Sequence, residues 1–376
     1  MSKQIPIVDP EGLLEYSVVF NDRSLNHMSK EFQGVMNDIS GTLKSVYNAS
    51  ATIVVPGGGS YGMEAVARQF ANDARCLVVR NGWFSYRWSQ ILDAGRIASE
   101  TTVHKARQLE PGSQVPFRPA PLEEVVASIR EKKPEVVFAP HVETAAGMRL
   151  PEDYLKQVAG AAHEVGAIFV LDCVASGALW VDMQAIGVDV LISAPQKGWS
   201  ASPCAALVML SDKGLERLEA TTSSSFACDL KKWHQIMQAY EGGGHAYHAT
   251  MPTDALKDFR DAMNETVNDG LDVTRERQEE LGRRVRALFA ERGFVSVAAE
   301  GFEAPGVVVL YTQRDDLHKG SGFIEQGLQT AAGVPLACDE PEDYKTFRIG
   351  LFGLDKLRNI DRTVDWLAEA LDGLGA

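Results

Sequence analysis

The feature that most restricts how this chain can fold is a recurring unit: a short, unbroken apolar run, a loop marked by glycine or proline, then a helical stretch. ATIVVP leads into GGGSYGMEAVARQF, RCLVVRNG into WFSYRWSQILDAG, EVVFAP into HVETAAG, and AIFVLD into CVASGA. DVLIS then leads through APQKG to another apolar run, CAALVML. Apolar runs without polar alternation suit strands buried on both faces, as in a mainly parallel sheet covered by helices. Open sheets of this kind bind ligands beyond the C-terminal ends of their strands. The loops with unusual chemistry lie there. A helical apolar period from about Ser29 to Tyr47 precedes the first run.

The texture changes after about Pro252. The charged stretch DALKDFRDAMNETVNDGLDVTRERQEELGRRVRALFAERG reads as one or two helices with a break at Gly270. Short strands (VSVAA, GVVVLYT), a helix, the strand TFRIGLFG and a last helix, IDRTVDWLAEAL, follow. The expected organisation is an N-terminal arm over 1–22, a large α/β domain over 23–262 and a smaller α+β domain over 263–376. A chain of 376 residues has room for two such cores.

The formal net charge of −14 disfavours nucleic acid or an anionic membrane as a partner. It leaves small anions open, since local basic groups and helix N-termini decide their binding. No apolar run is long enough for a bilayer, and MSKQIPIVDPEG lacks a secretory pattern, so the expected location is cytoplasmic. The five cysteines (Cys76, Cys173, Cys204, Cys228 and Cys338) are scattered, without metal-ligand or disulfide spacing.

Four features carry chemistry. Lys197, in LISAPQKGWSASP, follows a buried strand among small residues, where desolvation makes a lysine nucleophilic; the alternative is a surface lysine in a turn. Asp172 ends the run AIFVLD, and a buried acid calls for a cationic partner such as a protonated pyridine nitrogen; the alternative is a helix cap. PGGGSYG permits close backbone approach at Gly57 to Gly59 and opens a helix whose free N–H groups hold a phosphate, or it is a tight strand-to-helix turn. Arg348, inside the apolar strand TFRIG, wants an anion, either a substrate carboxylate or a structural partner.

Together these features have the order of a fold-type I pyridoxal-phosphate (PLP) enzyme. The stretch LDCVASGALWVDMQAIGVDVLISAPQKGWSASP closely resembles the lysine region of class V aminotransferases, particularly the alanine–glyoxylate and serine–pyruvate aminotransferase family. The matching positions are Asp172, Val174, Ser176, Gly187 to Asp189, Ser193, Gln196 and Lys197. The resemblance extends from about Asn26 to the end of the chain.

It implies the fold of that family: a large domain built on a mainly parallel seven-stranded sheet, with a smaller α+β C-terminal domain. It implies PLP as cofactor, Lys197 as its aldimine lysine and proton shuttle, and Asp172 paired with the ring nitrogen. Val174 is implied to pack on one ring face and Phe84 to stack on the other, with Trp83 as a rival for that role. Gln196 and the loop residues Gly58, Gly59 and Ser60 are implied for the phosphate. Thr144, in HVETAAG, is implied near the phenolic oxygen, although Ala145 and Ala146 replace the family's usual hydroxyl residues. Tyr247 and Thr250, in GGGHAYHATMP, match a pair that crosses a homodimer interface to the partner's phosphate.

Arg348 matches the arginine that holds the substrate α-carboxylate. The usual Gly-Pro-Gly-Pro segment is replaced by YSVVFNDRSLNHMSKEF, so Arg23, Asn26 and His27 are candidate substrate contacts. The implied activity is transfer of an amino group from a small amino acid, such as alanine, serine or an aspartate-like donor, to glyoxylate or pyruvate. No metal is implied, and His245 and His248 lack a third ligand. The competing readings are a PLP-dependent lyase, or a cysteine desulfurase acting through Cys338, or a nucleotide-binding α/β protein using the PGGGS loop.

Overall fold

The computed structural model describes residues 8–376, so the first seven positions of the expected arm lie outside the described residues. Its centre is a seven-stranded sheet: β1 (Ala51–Pro56), β2 (Arg75–Arg80), β3 (Glu100–Lys105), β4 (Val136–Pro140), β5 (Ile168–Asp172), β6 (Val190–Ser193) and β7 (Ala205–Leu210). The strand order is β1-β7-β6-β5-β4-β2-β3. β7 runs antiparallel to both of its neighbours, and the other pairings are parallel. Every residue of β4 to β7 is buried, which requires cover on both faces, as the unbroken apolar runs demand.

β3 is the strand the apolar runs did not announce. It lies at the sheet edge and has the sequence ETTVHK, with no residue fully buried. An edge strand covered on one side needs no continuous apolar run.

The expected N-terminal helix spans Lys30–Tyr47, and the Ser29 side chain caps it by accepting from the Phe32 N–H at 3.1 Å. The charged stretch after Pro252 forms two helices, Thr253–Asp269 and Leu271–Glu291, parted at Gly270 (φ 91°). The apolar core around the large sheet takes in residues from Leu25 to Met263. The expected boundary at 262/263 therefore falls inside the first of these two helices, at the last residue of that core.

A smaller antiparallel sheet holds β8 (Val307–Tyr311), β9 (Ala331–Ala332) and β10 (Thr346–Gly350), with β10 in the middle. Phe289, Phe323, Phe347 and Leu371 belong to a second apolar cluster behind it. VSVAA, expected as a strand, makes only isolated bridges, Ser296 to Leu310 and Ala298 to Phe117.

Candidate active site

A cavity of about 380 Å³ opens beyond the C-terminal ends of the parallel strands, within the usual range for a small-ligand site. It draws on loops that follow β1, β2, β4, β5 and β6 and on strands of the smaller sheet. Gly59, Ser60, Phe84, Thr144, Asp172, Val174, Gln196, Lys197 and Arg348 all line it. Residues almost 300 positions apart in sequence thus share one chamber (Gly59 to Arg348).

Lys197 sits in the connection between β6 and β7. Its ammonium lies 4.8 Å from the centre of the Phe352 ring. Burial, and then the charge of Arg348, lower its pKa from the ordinary lysine value. Gly198, next to it, packs so closely on the neighbouring loop that a Cβ would stand 2.1 Å from the Gly177 carbonyl oxygen. The main chain can therefore pass there only as glycine.

Asp172 ends β5 with only 8% of its surface exposed. Burial pushes its carboxyl from 3.8 up to about 6, against the opposing effect of the Val174 N–H, which donates to Oδ1 at 2.9 Å. Glu143 pushes it further up and Arg87 pulls it down. Among the described residues no cation forms an ion pair with it, which leaves a carboxylate suited to a protonated partner from outside.

The helix Gly59–Phe70 starts at the cavity, with Gly58 as its N-cap. A Cβ on Gly59 would lie 2.7 Å from Cγ2 of Val174, so the loop and this valine are in direct contact. Gln196 lines the same chamber, and its side-chain Oε1 is buried with no hydrogen-bond partner among the described residues. Arg348 projects from β10, where Nε donates to the Ala332 carbonyl at 2.8 Å. That bond orients the guanidinium and leaves the two terminal nitrogens available.

Of the two aromatic rivals, Phe84 lines the cavity, while Trp83 packs against Tyr86 with ring centroids 5.6 Å apart. Thr144 reaches the cavity, and the two alanines beside it are fully buried.

Five expected residues lie elsewhere in this chain, among them Arg23, which is exposed. Asn26 donates to Glu15 at 2.7 Å and to Ser17 at 3.2 Å, and lines a separate groove along the N-terminal segment. His27 is buried beside Phe20, His245 and Tyr247, with ring centroids 5.5, 5.8 and 5.6 Å away. Asn26 and His27 therefore do not line this cavity within the single chain: local pairing and packing hold them in the segment they belong to. Tyr247, 53% exposed, shares a 3.1 Å hydrogen bond with Thr250 at the surface.

Three residues were not anticipated. Phe352 and Arg87 line the cavity. Glu143, fully buried, accepts hydrogen bonds from the Phe84 and Ser85 N–H groups (3.2 and 2.9 Å), the Ser85 hydroxyl (2.6 Å) and the Ala145 N–H (2.9 Å). It thereby clamps the start of the Phe84 helix to the loop that carries Thr144. Its position in HVETAAG was visible, but nothing in one sequence signals a buried cap over a distant helix. Cys338, by contrast, lies outside the chamber at 4% exposure, and burial pushes its thiol up to about 12.

The arrangement combines a desolvated amine, a buried carboxylate, a helix N-terminus and a guanidinium. It is suited to proton transfer at an amino-acid Cα.

The chain matches the family model described as aminotransferase class-V over residues 13–333. The alanine–glyoxylate aminotransferase of Oryctolagus cuniculus is 27% identical over 360 residues, covering 92% of this chain and 86% of that protein. The 2-aminoethylphosphonate–pyruvate transaminase of Syntrophobacter fumaroxidans is 25% identical over 356 residues, covering 92% and 90%. The crystal structure of an alanine–glyoxylate aminotransferase from Nostoc sp. superposes with a TM-score of 0.77 at 21% identity, covering 92% of this chain and 89% of that one. At that identity the superposition establishes the fold alone.

Proposed function

This chain belongs to the class-V aminotransferase family, and on that premise we propose that it is a PLP-dependent transaminase with Lys197 as the lysine that carries the cofactor. The observation that carries this reading is the convergence of a deprotonation-prone lysine, the buried Asp172 and Arg348 in one cavity.

The residues present fit PLP. Asp172 has no ion-paired cation among the described residues and would hold the proton on the pyridine nitrogen. The free amide end of Gln196 is a buried orphan that an anion satisfies once the amide presents its NH₂. Gly58, Gly59 and Ser60 at the helix start would hold the phosphate, Val174 and Phe84 would bracket the ring, and Thr144 would stand near the phenolic oxygen. PLP supplies an electron sink for the charge that develops at the donor Cα.

The rest is the work of the chain. Arg348 grips the donor α-carboxylate and turns its Cα–H bond toward Lys197. The Lys197 amine, whose hold on a proton its burial weakens, takes that proton and returns it during transfer. The small chamber restricts the donor to a short side chain. The donor, alanine, serine or an aspartate-like amino acid, leaves as its 2-oxo acid, and glyoxylate or pyruvate takes up the amino group. Tyr247 and Thr250 complete the phosphate site of the partner in a homodimer, and the enzyme acts in the cytoplasm.

A desulfurase needs a mobile cysteine over the cofactor. Cys338 is buried and accounted for by contacts with the Arg80 and Leu336 carbonyls at 3.5 and 3.7 Å. The test of the reading is a half-reaction screen, mixing PLP-loaded protein with single amines and following the visible band of the cofactor. Bleaching by alanine or serine, reversed by pyruvate or glyoxylate, is expected. Protein that takes up no PLP, or a Lys197→Ala variant that still fixes PLP after borohydride, would refute it.

A further inference from the structure

Three cations line the cavity: Lys197, Arg348 and Arg87. The first two have work at the donor end. Arg87 is left over, and its surroundings point to the other end of the chamber.

Arg87 projects from the helix Trp83–Gly95, and its Nη1 donates to the Ser60 hydroxyl at 3.0 Å. Its guanidinium carbon lies 4.6 Å from the centre of the Phe84 ring, which holds the planar head in place. Ser60 belongs to the first turn of the helix Gly59–Phe70, the turn whose N–H groups are free. A serine oxygen that accepts from a guanidinium keeps its own O–H to donate. Arg87 and Ser60 thus form a donor chain aimed at the region in front of that turn.

The charge balance there requires such a group. A helix N-terminus is equivalent to roughly half a positive charge, whereas a phosphate monoester carries about −1.5 to −2 near neutral pH. The loop itself supplies no cation: Gly57, Gly58 and Gly59 have no side chains and Ser60 is neutral. A partly buried phosphate with most of its charge uncompensated is costly, and a guanidinium is the side chain best matched to phosphate geometry.

We propose that Arg87 is the countercharge of the cofactor phosphate, acting directly and through the hydroxyl of Ser60. The role rests on the reading of this cavity as a PLP site, and it gives the phosphate end a cation from the helix that also carries the ring-stacking Phe84. Cofactor stacking and phosphate binding are thereby coupled through a single helix turn.

The test compares PLP with pyridoxal, which has the same ring and aldehyde but no phosphate. Apoprotein of the wild type, Arg87→Gln and Arg87→Lys would be titrated with each, and thermal protection by inorganic phosphate measured alongside. Arg87→Gln should weaken PLP about 10- to 100-fold, leave pyridoxal within about twofold and abolish protection by phosphate, and Arg87→Lys should recover part of the PLP affinity. Equal losses for PLP and pyridoxal would assign Arg87 to holding Phe84 alone and overturn the proposal, as would unchanged PLP affinity. A wild type that takes up neither PLP nor pyridoxal would instead remove the cofactor reading itself. Melting of each apoprotein without phosphate separates any loss of fold from a loss of binding.

Discussion

Asp172→Asn is expected to have opposite effects on the empty and the loaded protein. In the folded apoprotein, burial raises the Asp172 carboxyl from 3.8 to about 6. At ~1.36 kcal/mol per tenfold change in proton affinity, that gap amounts to about 3 kcal/mol. The folded value lies above the unfolded one, so the stability contributed by this group is complete below about pH 4 and lost as the pH rises through about 6. Above that pH, the wild-type apoprotein carries a buried carboxylate with no ion-paired cation among the described residues. Asparagine never ionises, and its oxygen still accepts from the Val174 N–H, now at 2.9 Å. With an unfolding entropy of ~2.1 cal/mol/K per residue over 376 residues, 3 kcal/mol corresponds to about 4 °C.

The Asp172→Asn apoprotein should therefore melt about 4 °C above the wild type at pH 8, with the difference shrinking to nothing near pH 4. Scanning calorimetry of both proteins at equal concentration provides the measurement, because assembly makes melting concentration-dependent. The same variant, loaded with PLP, should lose about 100-fold or more in kcat, since the ring-nitrogen proton loses its countercharge. A variant equally or less stable than the wild type at pH 8 would refute the argument, because the carboxylate would then already have a partner within the fold.

Three further outcomes are expected. Arg348→Ala should lower kcat/KM for α-amino acids about 10- to 100-fold while leaving PLP affinity unchanged, as titration and steady-state kinetics would reveal. Gly59→Ala would bring a methyl within 2.7 Å of Val174 Cγ2, and the overpacking, about 1–3 kcal/mol, should appear as a roughly 5- to 150-fold weaker PLP affinity in a fluorescence titration. Cys338→Ser should leave transaminase turnover within about twofold, and a collapse of activity would revive the desulfurase reading.

The sheet was legible because six of its strands are buried on both faces and therefore spelled as apolar runs. β3 was not, since an edge strand of the composition ETTVHK looks like any polar loop. VSVAA misled in the other direction: its Val297 and Ala298 join a buried apolar cluster with Phe117 and Tyr311, and the segment makes isolated bridges rather than a ladder. Lys197, Asp172 and Arg348 could be read because each is a charged residue inside or beside an apolar run, where charge demands a reason. Arg87 carried no such mark, for on an amphipathic helix it is indistinguishable from a surface arginine. Phe352 is also silent in sequence, because only tertiary folding brings it over Lys197. Asn26 and His27 were drawn toward the pocket by a missing family segment, yet local hydrogen bonds and ring packing hold them within the N-terminal segment.

The contact between Gly198 and Gly177 has a consequence for how such a catalyst can change over time. Backbone pressed on backbone sets the separation between the loop that bears Lys197 and the loop that follows Asp172. No series of small side-chain exchanges can retune that distance, since the first added methyl already collides. Drift in substrate choice is left to the outer wall of the chamber, Phe352 and the strands of the smaller sheet, where a change alters what enters and leaves the spacing of Lys197 and Asp172 as it was.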